Sequence, residues 1–372
     1  MSLNLDVLIA GAGPAGLATA LAVRLAGMSL MVLDRRRPPL DKACGESTMP
    51  AGVAALGNLG IPLRDRQAIP FRGIRFIKDG IFAEGRLVES FALGIRRTTL
   101  SQLLLERALS LCVTVRWGAR IERRTNCSVR VANDTFHFKW LVGADGHNSQ
   151  TRSVASIRPV NIHRRLGVSQ HYKVDPWTDL VEVYWHERGQ AYVTPIAFDE
   201  TKVVLMGNDE TLRITDVAEL FPGLRDRLAR AEPVGKPQYG VTASFGLRTI
   251  TRNRTILIGD ASGSVEAITG NSLSPALCQS LLLARALVRD DLNSYAVAHR
   301  RLLRIPQIMG RLLLAIGRRG WLQGRVAAAL ADESTAFTGL LAVHTEQISV
   351  LSVKRSIVAG LLVGSLLHEA GS

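Results

Sequence analysis

A short apolar run, residues 5–10, leads directly into Gly11-Ala12-Gly13-Pro14-Ala15-Gly16, and an alanine- and leucine-rich stretch, residues 17–26, follows. No other feature restricts the fold as strongly. Glycines at this spacing between a strand and a helix have separate duties: the first permits a sharp turn, the second lets the backbone approach a pyrophosphate, and the third lets the helix pack closely. The free N–H groups and positive dipole at the helix start then face the anion. A second apolar run, residues 28–34, ends in Asp34, 23 residues after Gly11, where a carboxylate can accept hydrogen bonds from ribose hydroxyls. The chain therefore opens with a βαβ unit of parallel strands. Gly11, Gly13, Pro14, Ala15, Gly16, Asp34 and the adjacent Arg35 are candidate dinucleotide-binding residues.

A chain of 372 residues exceeds one ordinary domain. Strand-like alternation appears in residues 71–94 and again in 157–247, as in Val181-Glu182-Val183-Tyr184-Trp185. Thr255-Ile256-Leu257-Ile258-Gly259 then returns to the short, wholly apolar style expected at the centre of a parallel sheet. This order predicts an α/β protein: a Rossmann-like cofactor domain in three pieces (1–70, 96–156 and 250–299), an inserted antiparallel-sheet substrate domain (71–95 and 157–249), and C-terminal helices from 300 to 372.

Hydrophobic residues make up 47% and charged residues 21%, a globular balance. Lysine and arginine outnumber acids by 46 to 32, giving a net charge of +14 that favours anionic ligands or surfaces. Nucleic acid is not expected as a partner, because no DNA- or RNA-binding motif accompanies the charge. The four cysteines are scattered without a CxxC pair and the eight histidines form no ligand pattern, so neither a disulfide framework nor a metal site is expected. The N-terminus runs straight into a strand, with no signal-peptide pattern, which predicts a cytoplasmic protein. No apolar run reaches the roughly 18–20 residues of a membrane span. From Arg300 onward, arginine-rich and leucine-rich turns mix; helices packed on the body explain them, and so does peripheral contact with the inner face of a membrane.

Three further segments narrow the cofactor. Trp140-Leu141-Val142-Gly143-Ala144-Asp145-Gly146-His147-Asn148-Ser149-Gln150-Thr151-Arg152 resembles the Asp-Gly motif of class A flavoprotein monooxygenases. Thr255-Ile256-Leu257-Ile258-Gly259-Asp260-Ala261-Ser262-Gly263 resembles their Gly-Asp motif, and Arg97-Thr98-Thr99-Leu100 their arginine-led helix. With the glycine turn these make four motifs in family order. The resemblance implies a glutathione-reductase-like FAD fold, with Asp145, Gly259 and Asp260 beside FAD and Arg97 near its phosphates. It also implies that Gly270, Asn271 and Ser272, ahead of a helix over 275–288, sit near the flavin ring. This chain departs from the family with Ala267 in place of the usual proline and Asn271-Ser272 in place of a pair such as Glu-Gly.

The loop Asp41-Lys42-Ala43-Cys44-Gly45-Glu46 resembles that of geranylgeranyl reductases, which share the FAD superfamily and saturate isoprenoid double bonds. Lys42 is then a cofactor-side cation. Cys44 is either a catalytic proton donor or a small packing residue. Glu46 is expected to cap the loop, and His163 and His171 to decorate strands. Gly45-Glu46-Ser47 also resembles an element of flavin-dependent halogenases, but their Trp-x-Trp-x-Ile-Pro segment is absent, the nearest region reading Ala191-Tyr192-Val193-Thr194-Pro195-Ile196.

The first expectation is an FAD-dependent monooxygenase. It would take electrons from NADPH or NADH and hydroxylate an apolar or aromatic small molecule through a flavin C4a-hydroperoxide. The alternative is a reductase that saturates an alkene of an isoprenoid or other lipid. A halogenase and an FAD-binding scaffold rank below both.

Overall fold

The computed structural model describes residues 2–39, 41, 44–63, 67–209, 211–270, 273–345 and 347. Ser2–Ala10 is the middle strand of the first sheet, paired in parallel with Asp134–Gly143 on one side and Leu30–Asp34 on the other. The full order is Thr251–Arg252, Thr255–Leu257, Asp134–Gly143, Ser2–Ala10, Leu30–Asp34, Thr114–Trp117. Two short antiparallel strands, Arg123–Arg124 and Ser128–Val131, extend from Asp134–Gly143.

Thr255–Leu257 is one strand from the edge rather than central: it runs parallel to Asp134–Gly143 and antiparallel to Thr251–Arg252. Its apolar character comes from helices closing over it. Ile256 and Ile258 share a core with Leu277, Leu283 and Tyr295, and the Tyr295 hydroxyl donates to the Leu257 carbonyl at 3.1 Å.

The first helix, Pro14–Leu25, begins inside the glycine motif, three residues and so just under one turn earlier than the leucine-rich run alone suggests. Pro14 in its first turn needs no N–H partner and has a φ suited to helix. Small residues nearly all round it (Gly16, Ala18, Ala20, Ala22) are buried, so it packs between the sheet and the Arg97–Ser110 and Leu273–Val288 helices.

The second sheet has the order Glu232–Leu247, Pro159–Lys173, Glu200–Gly207, Gly189–Ala197, Val181–His186, Gly73–Lys78, Ile81–Arg86. It is antiparallel except where Val181–His186 meets Gly73–Lys78. A small sheet of Ser47–Thr48, Ala92–Gly94 and Ile69–Phe71 lies against it, with Gly94 packed on the Pro195 carbonyl. Mixed α/β layers with a Rossmann-like parallel sheet, an added antiparallel sheet and C-terminal helices agree with the fold class expected from sequence.

The C-terminal helices are Leu292–Gly317, Gly320–Asp332 and Ser334–His344. The last two cover the edge of the second sheet, where Phe337 stacks on Phe76 at 4.8 Å and Phe76 meets the edge of Trp185 at 5.5 Å. Among the described residues no single helix is long and apolar enough to cross a membrane. Gly320–Asp332 and Ser334–His344 pass together by length and composition, but they bend by 104° at their break.

Candidate active site

A cavity of about 950 Å³ opens at the carboxyl ends of the parallel strands, lined there by Ala10, Asp34, Ala144 and Asp145. Ligands of open α/β sheets bind at this edge. The cavity continues to the second sheet, where Gly167, Val204, Met206, Tyr239 and Val241 form its far wall.

The glycine turn sits at the cavity floor. Gly11 has φ +111°, and a Cβ there would lie 2.4 Å from the Ala144 carbonyl oxygen, so the turn nests against the neighbouring strand's exit. A Cβ on Gly16 would lie 1.8 Å from the Gly11 carbonyl oxygen; Gly16 is beneath the turn and is not part of the cavity wall. Gly13 differs: nothing lies within 4 Å of its missing Cβ, and it lines the cavity with Pro14 and Ala15. The helix behind it starts with no side-chain cap. An open glycine, an uncapped helix start, and Arg35 and Arg97 on the wall fit the pyrophosphate of FAD.

Asp34 is 9% exposed and uses both carboxylate oxygens on the backbone: Oδ2 accepts from Ala12 N–H and Oδ1 from Arg36 N–H, each at 2.8 Å. It therefore fixes the glycine turn, while each oxygen keeps a lone pair for a sugar hydroxyl. Asp145 works similarly. It accepts from the Ser149 hydroxyl and from Thr151 N–H at 2.9 Å, holding the Gln150–Val154 helix at the wall. Arg152 from that helix donates to the carbonyls of His147 (2.8 Å) and Ala261 (3.2 Å), tying the Asp-Gly segment to the Gly-Asp segment.

Gly259–Ser262 is a 3-10 turn that places Asp260 on the cavity wall. Its backing is a hydrogen-bond chain that no motif announces. Gly259 N–H donates to Gln279 Oε1 at 2.7 Å, the Ser262 hydroxyl donates to Gly259 O at 2.8 Å, and His299 Nε2 lies 2.8 Å from Ser262 Oγ. Because Ser262 already donates, His299 must carry its proton on Nε2. Burial, assisted by the charge of Arg300, pushes the His299 imidazole down to about 4. The unfolded chain thus binds this proton more readily, so stability falls as pH drops from about 6.5 toward 4. At pH 5 the expected loss is about 2 kcal/mol relative to pH 7.5. The pH 7.5-to-5 difference in urea midpoint should shrink in His299→Gln, which keeps a donor and has no proton to gain.

Arg97 opens the Arg97–Ser110 helix and lines the cavity; its backbone N–H donates to Glu46 Oε1 at 3.0 Å. Cys44 is half-buried on the wall, and its Sγ accepts from Glu46 N–H at 3.5 Å. Gly270, with φ +63°, is set back from the cavity wall; its carbonyl accepts from the Ser47 hydroxyl at 2.7 Å. Lys42, Asn271 and Ser272 lie outside the described residues. Arg120 and Arg124, which sequence reasoning missed, also line the cavity. They follow the Thr114–Trp117 strand at its carboxyl end, so the parallel-sheet rule applied to that strand is the signal that would have found them.

Two expectations for single residues need correction. Glu46 caps the Arg97–Ser110 helix across space rather than its own loop, and His171, which does lie on a strand, Pro159–Lys173, belongs to a buried cluster rather than merely decorating it. His171 is 6% exposed, with Nε2 2.8 Å from Glu46 Oε2 and 3.2 Å from Lys202 Nζ. Lys202 is fully buried, 3.9 Å from Glu46 Oε1. A buried lysine is rare without a partner carboxylate, and this cluster locks the segment after Cys44 onto the second sheet.

The sequence model of a family described as "FAD binding domain" matches residues 4–287. The chain belongs to that family. Among curated relatives it is 29% identical over 291 residues to a dialkyldecalin synthase of Streptomyces rugosporus, covering 73% of this chain and 62% of that protein. It is 25% identical over 320 residues to a menaquinone reductase of Mycobacterium tuberculosis, covering 77% of each. It is 25% identical over 342 residues to a 6-methylpretetramide 4-monooxygenase of Streptomyces rimosus, covering 83% of this chain and 60% of that one. The chain thus spans less than two thirds of the first and third of these. Its fold matches p-nitrophenol 4-monooxygenase PnpA of Pseudomonas putida with a TM-score of 0.77 at 19% identity, over 92% of this chain and 98% of that one. The chain thus carries an FAD-binding domain, in a fold that it shares with this monooxygenase.

Proposed function

We propose that the chain is an NAD(P)H-dependent monooxygenase of an apolar or aromatic small molecule. The observation that carries this reading is the continuity of the cavity. The FAD cradle and a wall of Gly167, Val204, Met206 and Val241 enclose one space, so an apolar substrate there lies against the cofactor. Bound FAD would supply two-electron transfer and activation of O₂. The chain's residues hold the pyrophosphate (Gly13, Arg35, Arg97), support the sugar chain (Asp34, Asp260) and exclude water with the second sheet. The named monooxygenase relative supports the same reading.

A second reading has its own observation. Cys44 stands on the cavity wall in a loop resembling that of geranylgeranyl reductases, and menaquinone reductases are relatives over 77% of both chains. In that reading bound FAD would supply the hydride chemistry that saturates an alkene, and Cys44 would hold the proton that completes the reduction. Isotopic oxygen separates the two. Under ¹⁸O₂, with NADPH or NADH and a panel of aromatic, polyketide and isoprenoid quinone substrates, the monooxygenase is expected to place one ¹⁸O in the product and consume O₂ in step with it. A product gaining two hydrogens under strictly anaerobic conditions would overturn hydroxylation and establish the reductase.

A further inference from the structure

The Leu292–Gly317 helix has two unlike faces. One is buried: Tyr295, His299, Leu303, Pro306 and Gly310 pack inward, with Gly310 against Glu266 and Thr269. The other carries Val297, Arg301, Arg304, Ile308, Arg311 and Leu312, all exposed. At about 100° per residue these fall within an arc of roughly 60–120°, so arginines and apolar side chains share one stripe instead of separating. Val297 is 59%, Ile308 46% and Leu312 53% exposed, and the next helix adds Trp321 at 58%, with Arg325 over its ring.

Residues 292–331 contain seven arginines and no lysine, aspartate or glutamate. The ion pairs among the described residues involve none of Arg300, Arg301, Arg304, Arg311, Arg318 and Arg319. Among the described residues these six charges therefore have no carboxylate partner; Arg300 donates only to the Ala296 carbonyl of its own helix, at 3.3 Å.

We infer that this face docks on the surface of an anionic lipid bilayer. A helix of 26 residues is about 39 Å long and can lie in the interface plane. Its arginines would meet lipid phosphates while Val297, Ile308, Leu312 and Trp321 enter the headgroup boundary. Nucleic acid would reward the arginines but leave the apolar residues of the same stripe in water, so charge complementarity together with the interleaved apolar side chains favours lipid. The inference stands apart from the choice between hydroxylation and reduction.

Co-sedimentation of the full FAD-loaded protein with vesicles tests it. The wild type is expected to bind vesicles containing about one third phosphatidylglycerol, to release in high salt, and to ignore pure phosphatidylcholine. Arg301→Glu/Arg304→Glu/Arg311→Glu should lower partitioning at least about tenfold, and Ile308→Ser/Leu312→Ser should weaken it with the melting temperature unchanged. Binding that neither variant alters would place membrane contact elsewhere in the chain and overturn the inference. A wild-type dimer that both variants dissociate, without vesicle binding, would assign the face to a second copy. Arginine-dependent binding to duplex DNA or RNA, again without vesicle binding, would assign it to nucleic acid.

Discussion

Gly13→Glu is expected to fold normally and to purify without FAD. Gly13 has φ −74° and ψ 179°, a conformation open to any residue, and nothing within 4 Å of its Cβ position. The substitution therefore costs the apo fold little. It does place a carboxylate where the pyrophosphate must approach the helix start, and two anions in one partly desolvated site repel strongly. A loss of at least about 100-fold in FAD affinity, roughly 3 kcal/mol, is the expected result, read by flavin fluorescence quenching on apo-protein. Gly16→Ala is the contrasting variant. Its methyl would lie 1.8 Å from the Gly11 carbonyl oxygen, a backbone atom that cannot rotate away. The helix or the strand exit must shift, at about 2–3 kcal/mol, and the melting temperature should fall with or without FAD. A Gly13→Glu protein that keeps ordinary FAD affinity would move the pyrophosphate away from Gly13.

The same contrast explains how much of the site was legible in the sequence. A glycine turn records a backbone constraint at fixed spacing, so Gly11, Gly13 and Asp34 could be placed from a single chain. The Asp-Gly and Gly-Asp segments were legible through their resemblance to family motifs, which a continuous run of residues can carry. What escaped were partners that meet only after folding. Gln279 and His299 lie 20 and 37 residues from the atoms they hold in the Gly259–Ser262 turn, on helices whose sequence reads simply as core. The position of Thr255–Leu257 was misjudged for a related reason: full apolarity reports burial on both faces, and helices near a sheet edge provide that as well as a central place does.

The Glu46 cluster is the extreme case, since its members come from a loop and two strands and carry no spacing pattern. Lys202→Met is expected to destabilise the protein by about 3 kcal/mol, because it leaves the buried Glu46 carboxylate without its ammonium. Glu46→Gln should cost a similar amount by stranding Lys202. The double variant removes both charges, so its loss should fall short of the sum by at least about 1 kcal/mol. Urea midpoints of the three variants read this coupling, and simple additivity would dissolve the cluster as a unit.

Acid supplies an independent readout of the same cluster. Burial opposes the Glu46 charge, but the His171 hydrogen bond, the Lys202 ammonium and the Arg97 N–H outweigh it and hold the carboxyl below its ordinary 4.5. The unfolded chain binds this proton more readily than the folded one, so the stabilisation is fully present above about pH 4.5 and is lost as pH falls through the lower folded value. Below pH 4.5 the wild type should therefore lose stability more steeply than Glu46→Gln. Acid-unfolding curves of equal steepness for the two proteins would show that the Glu46 carboxylate contributes no such stabilisation and would remove it from the contacts that lock the segment after Cys44 to the second sheet.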